Sequence, residues 1–177
     1  MGTCAVGNAT WTGFRLRDVL QRSGIGAGAS RVQMRGADRP VSDRTPHFVR
    51  SIPLAKALHP DTLLATQMND EPLRLLHGAP LRVIAPGWMA ESCMKWLTEL
   101  TVQEDEAQGY YMETAYRYPS EPVSPGVHPK PGDRIHMLPI EAMVVKSLIV
   151  RPSDEMVVRR GRMVIEGVAW TGEGRVT

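Results

Sequence analysis

Between Pro119 and Pro131 the chain places five prolines in thirteen residues. Proline holds φ at about −65° and has no amide hydrogen to donate, so such a run sustains neither a helix nor a central strand. It behaves as a stiff extended connection and is the candidate domain boundary, dividing residues 1–130 from 131–177. Sixteen glycines and fourteen prolines among 177 residues carry the same argument along the whole chain. Punctuation this dense calls for many short elements joined by shaped loops and excludes an all-helical bundle. The length is enough to bury a core without disulfide staples.

Ahead of the boundary, Leu16, Val19 and Leu20 fall at helical spacing, with Gly24 placed for a C-terminal cap, which predicts a short helix ending near Ser23. Gly24-Ile-Gly-Ala-Gly-Ala29 matches a dinucleotide fingerprint in letters only. That motif follows a strand and opens a helix, whereas these glycines follow a helix and lead into the alternating Arg31-Val-Gln-Met-Arg35, a predicted strand. Ser51-Ile-Pro-Leu-Ala-Lys-Ala-Leu58 reads as a capped helix, with Ser51 as the cap, proline in the first turn and His59-Pro60 as the stop. Thr62 to Gln67, the turn at Asn69-Asp70 and the return from Leu73 predict a hairpin. Leu81–Ala85 reads as a strand, Pro86-Gly87-Trp88 as a turn, and the stretch from Lys95 through Leu100 and Val102 as another strand. Tyr110 and Tyr111 open the next ordered piece. Beyond the prolines the texture turns to strand: Met143 to Val150, then Val157-Val158 and Met163 to Trp170, with a turn at Pro152-Ser-Asp154.

Apolar residues at 42% and aromatics at 6% describe a soluble, globular composition. A net charge of +2 is too small and dispersed for nucleic acid as the default partner. The charge is uneven: residues 1–60 carry nine Arg and Lys against three Asp and Glu, and residues 61–121 carry four against ten. The basic first third reads either as a solvated surface or as one side of a cleft for an anion. No apolar run approaches the roughly 20 residues of a membrane span, and the first residues lack a signal-peptide pattern. Cys4 and Cys93 are too few for a disulfide framework and have no metal-ligand spacing.

Several stretches, in order, resemble the sulfite oxidase family of molybdopterin enzymes. They are Val6-Gly-Asn-Ala-Thr-Trp-Thr-Gly13 with Leu16–Leu20, Gly36-Ala-Asp38, Ser51–Leu58, Leu63-Leu-Ala65 with Met68-Asn69, and His77-Gly-Ala-Pro-Leu-Arg82 with Pro86-Gly87. Lys95-Trp-Leu97, Gly109-Tyr-Tyr-Met-Glu-Thr-Ala-Tyr-Arg117, and Val145-Lys-Ser147 with Gly167-Val-Ala-Trp170 complete the series. The resemblance implies an α+β fold: an incomplete molybdopterin-binding domain over 1–130, followed over 131–177 by the first strands of an immunoglobulin-like dimerisation sandwich. It implies oxygen-atom transfer to sulfite at a molybdenum centre, giving sulfate, with the electrons passed to a cytochrome c or haem partner. The cofactor supplies the redox chemistry and the protein positions it and the anionic substrate. A homodimer and a bacterial-type, periplasmic enzyme are further expectations of the resemblance.

By the same resemblance Asp38 contacts the pterin, His77 and Arg82 bind the cofactor, and Cys93, Met94 and Lys95 form the run that holds it. Arg82 on an otherwise apolar strand needs a partner for its charge, which a phosphate or an edge position would satisfy. Tyr116 matches the active-site tyrosine, whose hydroxyl can donate to an anionic oxygen and help manage a proton. Residue type alone also accommodates plainer readings: a turn aspartate, a loop histidine, a surface lysine along an apolar stem, a packed tyrosine with a wet tip.

The family's metal-ligating cysteine lies in a Cys-Ala-Gly-Asn-like run upstream of the resembling segment, and no such run occurs in this sequence. Neither Cys4 nor Cys93 falls in that motif, so no metal ligand is assigned. The expectation is therefore a section of a sulfite-oxidising enzyme, inactive by itself. A nitrate- or sulfoxide-reducing relative and a silent pterin-binding remnant are the alternatives.

Overall fold

The computed structural model describes residues 8–124, 126–128 and 135–177; Cys4, Val6-Gly7, Pro125 and residues 129–134 lie outside them. The described chain is mostly β, so the α contribution is smaller than an α+β class implies. Its helices are α1 (Leu16–Ser23), α2 (Leu54–Ala57) and α3 (Tyr110–Glu113).

The first sheet is organised by β4 (Leu63–Met68). Strand β1 (Trp11–Arg15) pairs antiparallel along its length, while β5 (Glu71–Pro72) and β6 (Arg82–Ile84) pair antiparallel with its two halves. Asn69 and Asp70 both have positive φ, 53° and 63°, and supply the tight turn from β4 to β5 that the sequence predicts. Helix α1 leaves β1 directly: the Leu16 amide donates to the Thr62 carbonyl at 3.0 Å. Leu16 and Leu20, four residues apart, are buried on one face, whereas Val19 is exposed.

The second sheet runs β3 (Val49–Pro53), β2 (Arg31–Gly36) and β7 (Leu97–Gln103), all antiparallel. Alternation along β2 buries Val32, Met34 and Gly36, as a half-buried strand requires. The glycine-rich 24–29 segment joins α1 to β2, the helix-to-strand order predicted for it. Leu16, Leu20, Val32, Met34, Ile52, Leu64, Val83 and Met94 form the core between the sheets.

The capped helix predicted for 51–58 is corrected. Ser51 lies in β3 opposite Gln33, and its hydroxyl accepts from the Ala107 amide at 2.9 Å. Three consecutive residues of β3, Arg50, Ser51 and Ile52, are buried, so the segment is held by β2 until Pro53 releases four residues into α2.

On the C-terminal side, β8 (Arg117–Pro119) pairs antiparallel with β9 (Met137–Pro139), bringing the two sides of the proline-rich stretch together. Residues 140–143 then bond back: Met89 donates to the Glu141 carbonyl at 3.0 Å, and Met143 to Gly87 at 2.9 Å. Strands β10 (Lys146–Arg151) and β11 (Glu166–Trp170) make a two-stranded hairpin. Val157-Val158 and Met163–Ile165, predicted as strand, are not strand and lie exposed. Pairing in the hairpin ends at Arg151 and Glu166, so these residues have no strand to pair with among the described residues.

Candidate functional site

Two turns and two strand ends converge at one side of the core. Here a cavity of about 360 Å³ is lined by Asp38, Phe48, Glu91, Cys93, Met94, Lys95, Trp96 and Tyr116, with Ala90. Five of the seven residues singled out in the sequence, Asp38, Cys93, Met94, Lys95 and Tyr116, therefore share one cavity. His77 and Arg82 lie beside it, off its lining.

Arg82 fastens the His77 turn to the Cys93–Lys95 run. From β6 its Nη1 donates to the His77 carbonyl at 2.8 Å and its Nη2 to the Cys93 carbonyl at 3.2 Å. The guanidinium carbon lies 4.9 Å from the centre of the Trp11 ring, a cation–π distance. Arg82 Nε is buried and has no acceptor. Burial works against the guanidinium charge, and no carboxylate pairs with it among the described residues. The His77 side chain is exposed; its backbone carbonyl makes the contact. Lys95 donates to the Leu76 carbonyl at 3.1 Å and lies 4.1 Å from the Trp96 ring centre.

Close backbone approach sets the Asp38 side of the cavity. A Cβ on Gly36 would stand 2.7 Å from the Lys95 carbonyl oxygen, so only glycine lets the end of β2 run against the Lys95 segment. Cys93 is an anchor within the wall: its Sγ accepts from the Ala85 amide at 3.4 Å. Burial pushes its thiol up, which the amide and Arg82 only partly oppose. Among the described residues no group of three or more His, Cys, Asp or Glu could hold a metal ion.

Tyr116 enters the cavity from a strained backbone. Its φ is 52°, a left-handed conformation that costs a non-glycine residue of order 1 kcal/mol and collects at functional positions. Its carbonyl accepts from Ile140 at 2.8 Å, and Phe48 packs edge-on at 6.2 Å between ring centres. Arg50 supports it from below. Nearly fully buried, Arg50 donates to the Tyr111 carbonyl and, at 3.1 Å, to the Ile140 carbonyl.

Sequence reasoning missed Arg50, Phe48, Glu91 and Trp96. Glu91 was reachable only by its nearness to the Cys93–Lys95 run. It sits on a single turn, Ala90–Ser92, with its side chain 7% exposed, 3.8 Å from Arg50 Nη2. Burial raises its carboxyl above the ordinary range, and its own amide, Arg50 and Lys146 oppose this in part.

Residues 1–111 match the family model described as the oxidoreductase molybdopterin binding domain. The chain belongs to this family. It is 39% identical to the mitochondrial sulfite oxidase of Drosophila melanogaster over 98% of its own length and 30% of that protein's. It is 40% identical to a nitrate reductase [NAD(P)H] of Hordeum vulgare over 62% of its length and 13% of that protein's. Among solved structures it matches the sulfane dehydrogenase SoxCD of Paracoccus pantotrophus with a TM-score of 0.71 and 27% identity, covering 93% of this chain and 38% of that one. The chain thus spans under two fifths of the length of these relatives. The family has the sulfite oxidase type of fold and a molybdopterin cofactor. The residues present fit such a group: Arg82 and Lys95 are cations without a carboxylate partner among the described residues, and the orphaned Nε of Arg82 suits a phosphate oxygen.

Proposed function

We propose that this segment holds molybdopterin in an enzyme that oxidises sulfite to sulfate. The observation that carries the reading is the gathering of Tyr116 with Asp38 and the Cys93–Lys95 run on one cavity. Likeness to sulfite oxidases over nearly the whole chain supports the substrate class. When bound, the molybdenum cofactor supplies the two-electron oxidation. Arg82, through its unpartnered Nε, and Lys95, as a point charge, would hold its phosphate. Asp38 accepts from pterin N–H groups, His77 offers a further polar contact, and Cys93 and Met94 present backbone groups. The Tyr116 hydroxyl donates to a sulfite oxygen and holds the anion in the cavity mouth. Electrons leave to a cytochrome c or haem partner in a periplasmic setting. The β10–β11 hairpin, with Ile149 and Val168 exposed, starts a dimerisation sandwich over 131–177.

The reading includes a metal thiolate supplied from outside this sequence. The test therefore compares this chain with an extended protein, the same chain preceded by a relative's cysteine-bearing segment, both loaded with molybdopterin. Sulfite-dependent reduction of cytochrome c is expected from the extended protein only. Turnover by the chain alone would overturn the need for the added thiolate, and a loaded extended protein without turnover would overturn sulfite as substrate. Nitrate is the second reading, favoured by the barley relative. Nitrate reduction without sulfite oxidation would establish it.

A further inference from the structure

The wall of the cavity holds a carboxyl that the site described so far does not use. Glu91 Oε1 is buried and has no hydrogen-bond partner. Arg50 Nη2, at 3.8 Å, is near enough to act as counter-charge and too far to donate well. An orphaned buried oxygen costs of order 1–3 kcal/mol, so its presence calls for an explanation. Glu91 and Tyr116 line the same cavity, and the Arg50 guanidinium lies between them, 3.8 Å from the Glu91 carboxylate and 5.6 Å from the Tyr116 ring centre.

We propose that Glu91 is the proton acceptor of this cavity, with Arg50 as its buried counter-charge and as the residue that positions Tyr116. The proposal rests on the sulfite reading above. Sulfite and water give sulfate, two protons and two electrons; the bound cofactor would take the electrons, and the protons would be released into the cavity that Glu91 lines. Glu91 Oε1, as carboxylate, takes one of the two protons, becomes the neutral acid and returns it to solvent before the next turnover, while the second proton passes directly to solvent water at the cavity mouth. The groups that face it oppose one another. Burial favours the acid; Arg50 from β3 and Lys146 from β10 favour the carboxylate. Cys93 stands on the next turn, and Asp38, Lys95 and Tyr116 lie across the cavity. Burial thus moves the carboxyl upward from its ordinary range, the direction that suits a general base.

The test has two arms. In the chain itself, carbon-13 labelling of glutamate carboxyls followed through a pH titration should show one carboxyl with a midpoint above the ordinary range, absent from Glu91→Gln. A set of glutamates that all titrate normally overturns the proposal. In the loaded extended protein, kcat for sulfite should fall as pH drops through that same midpoint. Glu91→Gln should lower kcat about 10²-fold, leave KM nearly unchanged and remove the acid limb; Glu91→Asp should restore the limb. A limb that persists in Glu91→Gln overturns the role of Glu91 while sulfite turnover stands. An occupied wild-type protein with no sulfite turnover overturns the reaction and this role together.

Discussion

The guanidinium carbon of Arg50 lies 5.6 Å from the centre of the Tyr116 ring, and the same guanidinium reaches toward Glu91 and two backbone carbonyls. One buried cation thereby joins β3 to the segments on both sides of Tyr116. Arg50→Met removes every donor and leaves the Glu91 carboxyl unpaired, so a loss of about 3–5 kcal/mol is expected, roughly 10 °C in thermal midpoint. Adding Glu91→Gln should recover part of it, because the two share one interaction. Circular-dichroism melts of the three variants check this, and strictly additive losses would count against the pairing.

Gly36→Ala tests the close approach on the Asp38 side. The added methyl would stand 2.5 Å from the Asp38 carboxylate oxygen and 2.7 Å from the Lys95 carbonyl. Backbone must shift, and overpacking of this kind costs about 1–3 kcal/mol. Urea unfolding should show the loss; an unchanged midpoint would mean that the Lys95 segment yields freely.

Glu91 also predicts how stability follows pH. Burial raises its carboxyl in the folded chain, with Arg50 and Lys146 opposing, so the folded state holds this proton more tightly than the unfolded one. The resulting stabilisation is complete below the ordinary glutamate value of about 4.3 and is lost as pH rises through the raised folded value. Relative to Glu91→Gln, the wild type should therefore lose stability from about pH 4 upward. Unfolding curves at stepped pH measure the gap, and a constant gap would show that Glu91 titrates alike in both states.

Cys93 is partly buried and should be slow to react. Its thiol is pushed up by burial, and the thiolate is the reactive form. In a Cys4→Ser background, reaction with a thiol-exchange reagent at mildly alkaline pH should be slower in the native protein than in denaturant by about an order of magnitude or more. Equal rates would place Cys93 on an open surface.

The legibility of the sequence followed the range of the interactions. Strand β2 was readable because Val32 and Met34 alternate in a run of their own, and the β4 turn because Asn69-Asp70 is local chemistry. Ser51 misled because its cap-like pattern is local, whereas β3 is imposed by pairing with β2, a non-local contact. Val157 and Val158 misled for the converse reason: strand propensity without a partner makes no strand. The site divides the same way. Asp38, Cys93, Met94, Lys95 and Tyr116 carry a resemblance in their order, while Arg50 and Glu91, 41 positions apart in the chain, meet only through the sheet and the turn that bury them.

Tyr116 and Arg82 separate two functions that the proposed reading assigns to one cavity. On that reading the Tyr116 hydroxyl acts on the substrate, so Tyr116→Phe in the loaded extended protein should slow sulfite turnover about 10²-fold with cofactor content unchanged. Arg82 joins the His77 and Cys93 carbonyls and offers its free Nε, so Arg82→Ala should lower the cofactor content, and turnover per bound cofactor should fall far less. Lys95→Ala should act in the same direction with a smaller loss, since Lys95 contributes a single charge already engaged with Leu76. Molybdenum and pterin assays beside steady-state kinetics decide it. A Tyr116→Phe protein that purifies without cofactor would move Tyr116 from substrate to pterin, and an Arg82→Ala protein with full occupancy would leave Arg82 as a structural tie alone.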